Sequence, residues 1–304
     1  MIALWIPVTI AAAFLQNLRS ALQKALKGRL STAGAAYARF FYAWPFALIF
    51  LFAVGGIGGY EAPQPNLAFF LWCALGGLSQ ILFTVVLLWM FSFRSFAVGT
   101  TFSKLEVVLI AILGAALLGD TVGPLAGLAI AIGAAGTVLL AATEARLTLR
   151  GLIGGIFEKP TLIGLLSAAL LGGSVVCFRG AALALDGPDF LMAAAYALVV
   201  ALLMQTAMMG AWFLAFDRPE LTRVLTEWRR AAPVGLVGMA CSACWFTAFT
   251  LQNAAYVRAL GQIELLFTFL AGALIFRERA RATELAGVGL VVVAVLLILF
   301  AGQG

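Results

Sequence analysis

Ten long apolar runs, nearly free of charge, follow one another along this chain with only short polar breaks between them. They fall at about 3–23, 33–54, 67–91, 97–118, 123–142, 161–183, 189–214, 231–252, 255–276 and 282–301. A hydrocarbon layer about 30 Å thick takes roughly 20 helical residues to cross, and each run reaches that length. Backbone in lipid must satisfy its own hydrogen bonds, so only helices and closed barrels span it. Barrel strands alternate in polarity over about ten residues, whereas these runs are continuously apolar. The expectation is an all-α integral membrane protein with ten transmembrane helices.

Composition excludes the soluble alternatives. Hydrophobic residues make up 64% of the chain and charged ones 11%, against roughly half and a quarter in soluble domains. Ten spans leave no room for a sizeable water-soluble domain. Histidine is absent, which removes the usual general base and the commonest metal ligand. No metal or other cofactor is expected. Cys241 and Cys244 form a C-x-x-C, but inside an apolar run, where two small helix-packing residues are the expected reading. No glycine loop after a strand is present to hold a nucleotide phosphate. The net charge of +6 is assigned to loops facing an anionic leaflet rather than to nucleic acid. Met1–Leu18 has no basic leader region and reads as a retained first helix.

The two halves repeat. Residues 98–120 slide onto 256–278 without a gap, placing Lys104 on Gln262, Glu106 on Glu264, Gly114 on Gly272 and Asp120 on Glu278. Upstream, Gly77 falls on Gly235 and Phe91 on Phe249. The polar stretch 143–160 is the natural linker, so residues 1–142 and 161–301 form two five-helix repeats. Five spans is an odd number, so the second repeat inserts upside down relative to the first. Inverted repeats are characteristic of transporters whose site lies near the midplane. The segment Asp217–Arg230 reads as a short interfacial helix, with Trp228 at headgroup level.

Basic residues near the span ends set the orientation. Fourteen lie on one side: Lys24, Lys27, Arg29, Arg94, Arg146, Arg150, Lys159, Arg218, Arg223, Arg229, Arg230, Arg277, Arg279 and Arg281. The opposite loops carry none. This asymmetry places both termini outside the cytoplasm, in a bacterial inner membrane.

At the ends of its halves the chain resembles the drug/metabolite transporter superfamily, close to its EamA-type branch. The resemblance rests on Ser103-Lys104-Leu105-Glu106 through Leu118-Gly119-Asp120 with Leu125–Leu140. It rests equally on Gly261-Gln262-Ile263-Glu264 through Phe276-Arg277-Glu278-Arg279 with Leu285–Leu297. It implies ten helices in two inverted five-helix repeats, a central cavity and alternating access. Family members carry amino acids, other metabolites, nucleotide sugars or drugs. Similar bacterial exporters keep both termini in the cytoplasm, and the loop charges of this chain point the other way.

Glu106 and Glu264 are the sharpest candidates for substrate contact or coupling. Each lies about nine residues into its run, roughly 13 Å deep at 1.5 Å per residue. A charge there costs at least about 2.5–3.5 kcal/mol against lipid, so both should face the bundle interior. They either meet substrate and exchange a proton, or make a structural pair with Lys104, Arg258 or another polar neighbour. Lys104 is two residues from Glu106, about 200° round a helix, so the two face different ways. Lys104 and Thr100 on one run, with Gln262 and Arg258 on the other, form stripes that suit two walls of one cavity. Lys104 either holds a substrate carboxylate or phosphate or bridges helices. Arg258 either lines the cavity or snorkels. Asn17, Arg39 and Trp245 complete the candidates, while Arg19 is expected to snorkel and Arg179 fits either reading. Gly123-x-x-x-Gly127, extended by Ala131, reads as a close-packing face within the monomer or in a homodimer.

Inside the runs five cations (Arg19, Arg39, Lys104, Arg179, Arg258) stand against two carboxylates. This excess favours a small polar solute bearing a carboxylate, such as an amino acid, over a bare cation. The alternatives are a multidrug or cation exporter, a lipid flippase, and a membrane enzyme acting on lipid-linked substrates. The partners expected are that solute and membrane lipid.

Overall fold

The computed structural model describes residues 3–24, 26, 28–90, 96–145, 147, 157–185, 189–274 and 281–302. The elements along them are helices: α1 (Trp5–Lys24), α2 (Thr32–Phe41), α3 (Trp44–Gly58), α4 (Leu67–Met90), α5 (Phe96–Ser103), α6 (Glu106–Leu118) and α7 (Pro124–Glu144). After the linker come α8 (Lys159–Leu183), α9 (Phe190–Phe216), α10 (Arg218–Thr226), α11 (Trp228–Leu251), α12 (Ala254–Gly261), α13 (Ile263–Leu274) and α14 (Ala282–Ala301). Lys27, Arg94, Arg146, Arg150, Asp186–Pro188, Arg277, Glu278 and Arg279 lie outside the described residues, and with them the expected Asp120–Glu278 correspondence.

The protein is all-α, and among the described residues seven helical stretches are long and apolar enough to cross a membrane: Thr32–Gly58, Leu67–Leu87, Pro124–Thr143, Lys159–Leu183, Phe190–Phe216, Trp228–Leu251 and Ala282–Ala301. The first run is also a helix, α1, but polar residues (Gln16, Asn17, Arg19, Gln23) dot its second half. Large apolar side chains such as Phe52 and Phe300 stand exposed, as suits a surface whose solvent is hydrocarbon.

Three runs break. The second divides at Tyr42-Ala43, ahead of Trp44-Pro45. Proline lacks an N–H and its ring crowds the carbonyl four residues back, so a helix restarts there more readily than it continues. The runs expected as continuous at 97–118 and 255–276 are instead α5 with α6 and α12 with α13. At the first break Lys104 N–H donates to the Thr101 carbonyl (3.2 Å) and Leu105 N–H to that of Phe102 (3.1 Å). At the second, Gln262 N–H donates to the Ala259 carbonyl (3.3 Å). These i to i+3 bonds tighten the chain into a turn of 3₁₀ type, a local hinge inside the span. Helix bounds recur along the chain: α2 and α9, α5 and α12, and α7 and α14 each start 158 positions apart.

Two compact units divide the chain, and each draws on both sequence halves. The first comprises Met1–Ile6, Leu82–Val176 and Asn253–Gly304. Here small residues bring helices together. A Cβ on Gly136 of α7 would stand 2.9 Å from the Gly287 carbonyl of α14, and one on Gly287 would stand 2.8 Å from Leu140. The Gly99 backbone of α5 occupies the space that a Cβ on Gly164 of α8 would need, and the Pro160 carbonyl fills the Cβ position of Gly99 in turn. The expected Gly123–Gly127 face packs otherwise. Gly127 has no atom within 4 Å of its Cβ position, and Gly123 meets only the Tyr256 hydroxyl. Close approach on α7 falls roughly two turns later, at Gly133 and Gly136, because that is the face turned to α14.

The second unit comprises Pro7–Ile81 and Cys177–Gln252, with α9 packed on α2, α3 and α11. Its buried amides pair: Gln205 Nε2 donates to Gln80 Oε1 at 2.7 Å. The expected short helix is α10, and it ties the start of α2 down. Glu220, 2% exposed, accepts from Ser31 N–H at 2.6 Å, putting a carboxylate on the positive end of α2. Tyr42 caps α10 in return, donating to the Val224 carbonyl at 3.0 Å. Beyond the spans, a hydrogen bond from Arg230, helped by the charge of Arg29, holds the Glu227 carboxyl below its usual range. Arg179 donates to the carbonyls of Phe249 and Gln252, closing the C-terminus of α11, where carbonyls lack helical partners. Its role is that of a cap. Cys241 lies within α11 and donates to the Ala12 carbonyl, a packing contact.

Candidate functional site

Five of the eight residues singled out from sequence lie in the first unit, around the two helix breaks. Glu106 opens α6 and Glu264 lies in the first turn of α13. Both carboxylates thus stand at the positive end of a half-helix, where a negative charge is favoured. Arg258 lies in the last turn of α12, the end that favours a cation. Helices α6 and α12 pack together, and Arg258 makes an ion pair with Glu106. The Glu106 side chain is 16% exposed and that of Arg258 11%. Arg258 therefore turns inward and does not snorkel: a carboxylate within reach outweighs the pull of the headgroups.

Around this pair is a cavity of about 30 Å³, the liquid-volume share of roughly one water molecule. Its walls include Lys104, Glu106, Arg258, Gln262 and Glu264, so the two polar stripes expected from sequence do meet. Lys104 sits in the turn of the first break and is exposed. Glu106 pairs with Arg258 instead. Gln262 sits at the second break, 7% exposed, and its Oε1 has no hydrogen-bond partner. That oxygen lies over Gly133 of α7, where a Cβ has no room. A buried acceptor without a donor is costly, and a donor on a bound molecule would satisfy it.

Sequence reasoning missed the α7 wall. Thr137 lines the same cavity, its hydroxyl donating to the Gly133 carbonyl at 2.8 Å. It also missed the struts that fix α12. Tyr256 OH accepts from Gly123 N–H at 3.3 Å, and Asn253 Nδ2 donates to the Thr121 carbonyl at 3.3 Å. The signal for Gly133 was present, as the glycine of α7 that faces Gln262, but only packing identifies that face.

Asn17, Arg39 and Trp245 lie in the second unit. Trp245, 7% exposed, donates through Nε1 to Gln16 Oε1 at 3.0 Å and stacks on Phe249 with ring centroids 5.6 Å apart. Arg39 places its guanidinium 4.5 Å from the centre of the Phe40 ring. Asn17 is half-buried on α1.

Residues 159–300 match the model of the EamA-like transporter family. No curated protein matches the chain. Among 28 matching chains of solved structure, one described as "Crystal structure of protein" has a TM-score of 0.70 at 17% identity. The match covers 98% of this chain and 98% of that one. At that identity the likeness is one of fold.

Proposed function

Over its C-terminal half this chain belongs to the EamA-like transporter family, and from that premise we propose a secondary active transporter of a small polar metabolite bearing a carboxylate, such as an amino acid. We read its spans as ten, in two inverted five-helix repeats, and its movement as alternating access. The recurrence of helix bounds supports the repeat, as do helix breaks at corresponding residues, Lys104 and Gln262.

The Glu106–Arg258 ion pair carries the reading. An intramembrane ion pair at the junction of broken helices is the kind of site transporters use. Two events open it. A proton on Glu106 removes the charge that holds Arg258, and a substrate carboxylate at Arg258 replaces Glu106. Either event frees α12 from α6, so the pair couples occupancy to the hinges. Lys104 stands beside it as a second cation for the substrate anion, and Gln262 Oε1 would accept from a substrate ammonium or hydroxyl. With Glu106 already paired, the cavity is poorly suited to a bare cation.

Thermal melting of the detergent-purified protein against amino acids, organic acids, sugars, nucleotides and cationic drugs tests the substrate class. A carboxylate-bearing solute is expected to raise Tm by several degrees, since ligand at 100 times its Kd stabilises by about 2.7 kcal/mol. The shift should vanish in Arg258→Gln and shrink in Lys104→Gln. A cationic drug that shifts both variants like the parent, with no carboxylate doing so, would put the multidrug reading in its place.

Loop charge further leads us to place both termini outside the cytoplasm of a bacterial inner membrane. A C-terminal alkaline phosphatase fusion is expected to be active and a fluorescent-protein fusion dark. The opposite pattern would invert the topology.

A further inference from the structure

We propose that Arg19 and Arg39 form an oxyanion-binding site within the second compact unit. It deepens the transporter reading and rests on it for the view that the anion belongs to a carried solute. Helices α1 and α2 meet where Gln23 Nε2 donates to the Ala35 carbonyl, at 3.1 Å. One turn further in, at 1.5 Å per residue, α1 presents Arg19 and α2 presents Arg39. Both stems rest on one point of α11. Arg19 Cδ and Arg39 Cγ are each 3.5 Å from the Cβ position of Gly238. Glycine there leaves the space that lets two arginines lie side by side.

Among the described residues neither arginine makes an ion pair. The described acids of this unit are committed elsewhere or stand exposed. Asp189 caps α9 and Asp217 caps α10. Glu220 holds Ser31 and Arg223, and Glu227 holds Arg29 and Arg230. Glu61 is exposed beyond the end of α3. Arg19 Nε is buried with no hydrogen-bond partner. Two cations inside a span without an acid are costly, and one oxyanion compensates both. Guanidinium forks bind carboxylate and phosphate oxygens in pairs. The Arg39 guanidinium also lies over the Phe40 ring, a cation–π contact that uses none of its N–H donors.

A cleft of about 590 Å³ is lined by Ser20 and Gln23 of α1 and by Ser31, Thr32 and Ala35 of α2, a volume in the range of small-molecule sites. Arg19 adjoins Ser20 in sequence and Arg39 is one turn past Ala35, so the arginines lie about one turn inward of the cleft lining.

Calorimetric titration of the purified protein with inorganic phosphate, with succinate, and with phosphatidylglycerol in mixed micelles tests the site. Binding of phosphate or succinate should weaken at least about ten-fold in Arg19→Gln and in Arg39→Gln, and less in Arg39→Lys. Arg218→Gln, which removes an exposed arginine of α10, should bind like the parent. The same arginine dependence seen only with phosphatidylglycerol would assign the site to a lipid phosphate. If all anions bind parent and folded variants alike, or bind neither, the site is wrong; Arg39→Lys serves where a glutamine variant does not fold. A solute that acts through Arg258, with no anion reading Arg19 or Arg39, would sink this site and leave the transporter reading standing.

Discussion

Replacing Glu106 with glutamine is expected to destabilise the protein by about 3–5 kcal/mol, because it strands Arg258. The Arg258 side chain is 11% exposed and its guanidinium faces Glu106, so it loses its compensating charge without gaining water. Arg258→Gln should cost a similar amount by stranding the carboxylate. The double variant Glu106→Gln with Arg258→Gln should recover most of the loss, since two neutral amides need no counter-charge. That non-additivity, read from thermal melts as a double-mutant cycle, isolates the pair. Additive losses would mean that the two residues act through other neighbours. The double variant should also be the best folded of the three and still inactive in transport, because it keeps the packing and removes the switch.

The second large effect is steric. Gly164→Val should destabilise by at least about 3 kcal/mol and lower the yield of folded protein. The space its Cβ would enter is held by backbone atoms of Gly99, not by a side chain that can rotate away. Helix α5 would have to move off α8, and α5 leads directly into the Lys104 hinge. Gly127→Ala is the matched control. Its Cβ meets nothing within 4 Å, so the variant should be neutral or more stable by about 0.5–1 kcal/mol, the usual gain of alanine over glycine in a helix. A tolerated Gly164→Val would show that α5 and α8 do not touch at these glycines.

The candidate site was legible in part. A carboxylate repeated at matching depth in two apolar runs is conspicuous, because lipid penalises each copy, and both Glu106 and Glu264 line one cavity. Lys104 and Gln262 were legible for the same reason. The partner of Glu106 was not: sequence left Lys104, Arg258 and other polar neighbours open, and the packing of α6 against α12 selects Arg258. Trp245 was chosen for its polar run, but its contact with Gln16 on α1 is a matter of tertiary packing. Arg179 could have been a ligand contact by sequence, and only the position of the α11 terminus makes it a cap.

Sequence alone determined that the chain is helical and built for lipid. Backbone hydrogen bonding in hydrocarbon admits few solutions, and runs of this length and apolarity select one of them. It also determined the internal correspondence, since a shift of 158 positions brings Glu106 onto Glu264 and the start of α5 onto the start of α12. Tertiary structure decided where two of the apolar runs break, because no proline marks Lys104 or Gln262 and the turns are set by what the half-helices pack against. It decided which glycines matter, Gly99, Gly133, Gly136 and Gly164 rather than Gly127, because a helix face is defined only by its neighbour. It also decided that the compact units take helices from both halves. Contacts between helices depend on which apolar faces meet, and in a chain so uniformly apolar the pattern along a single helix says little about that.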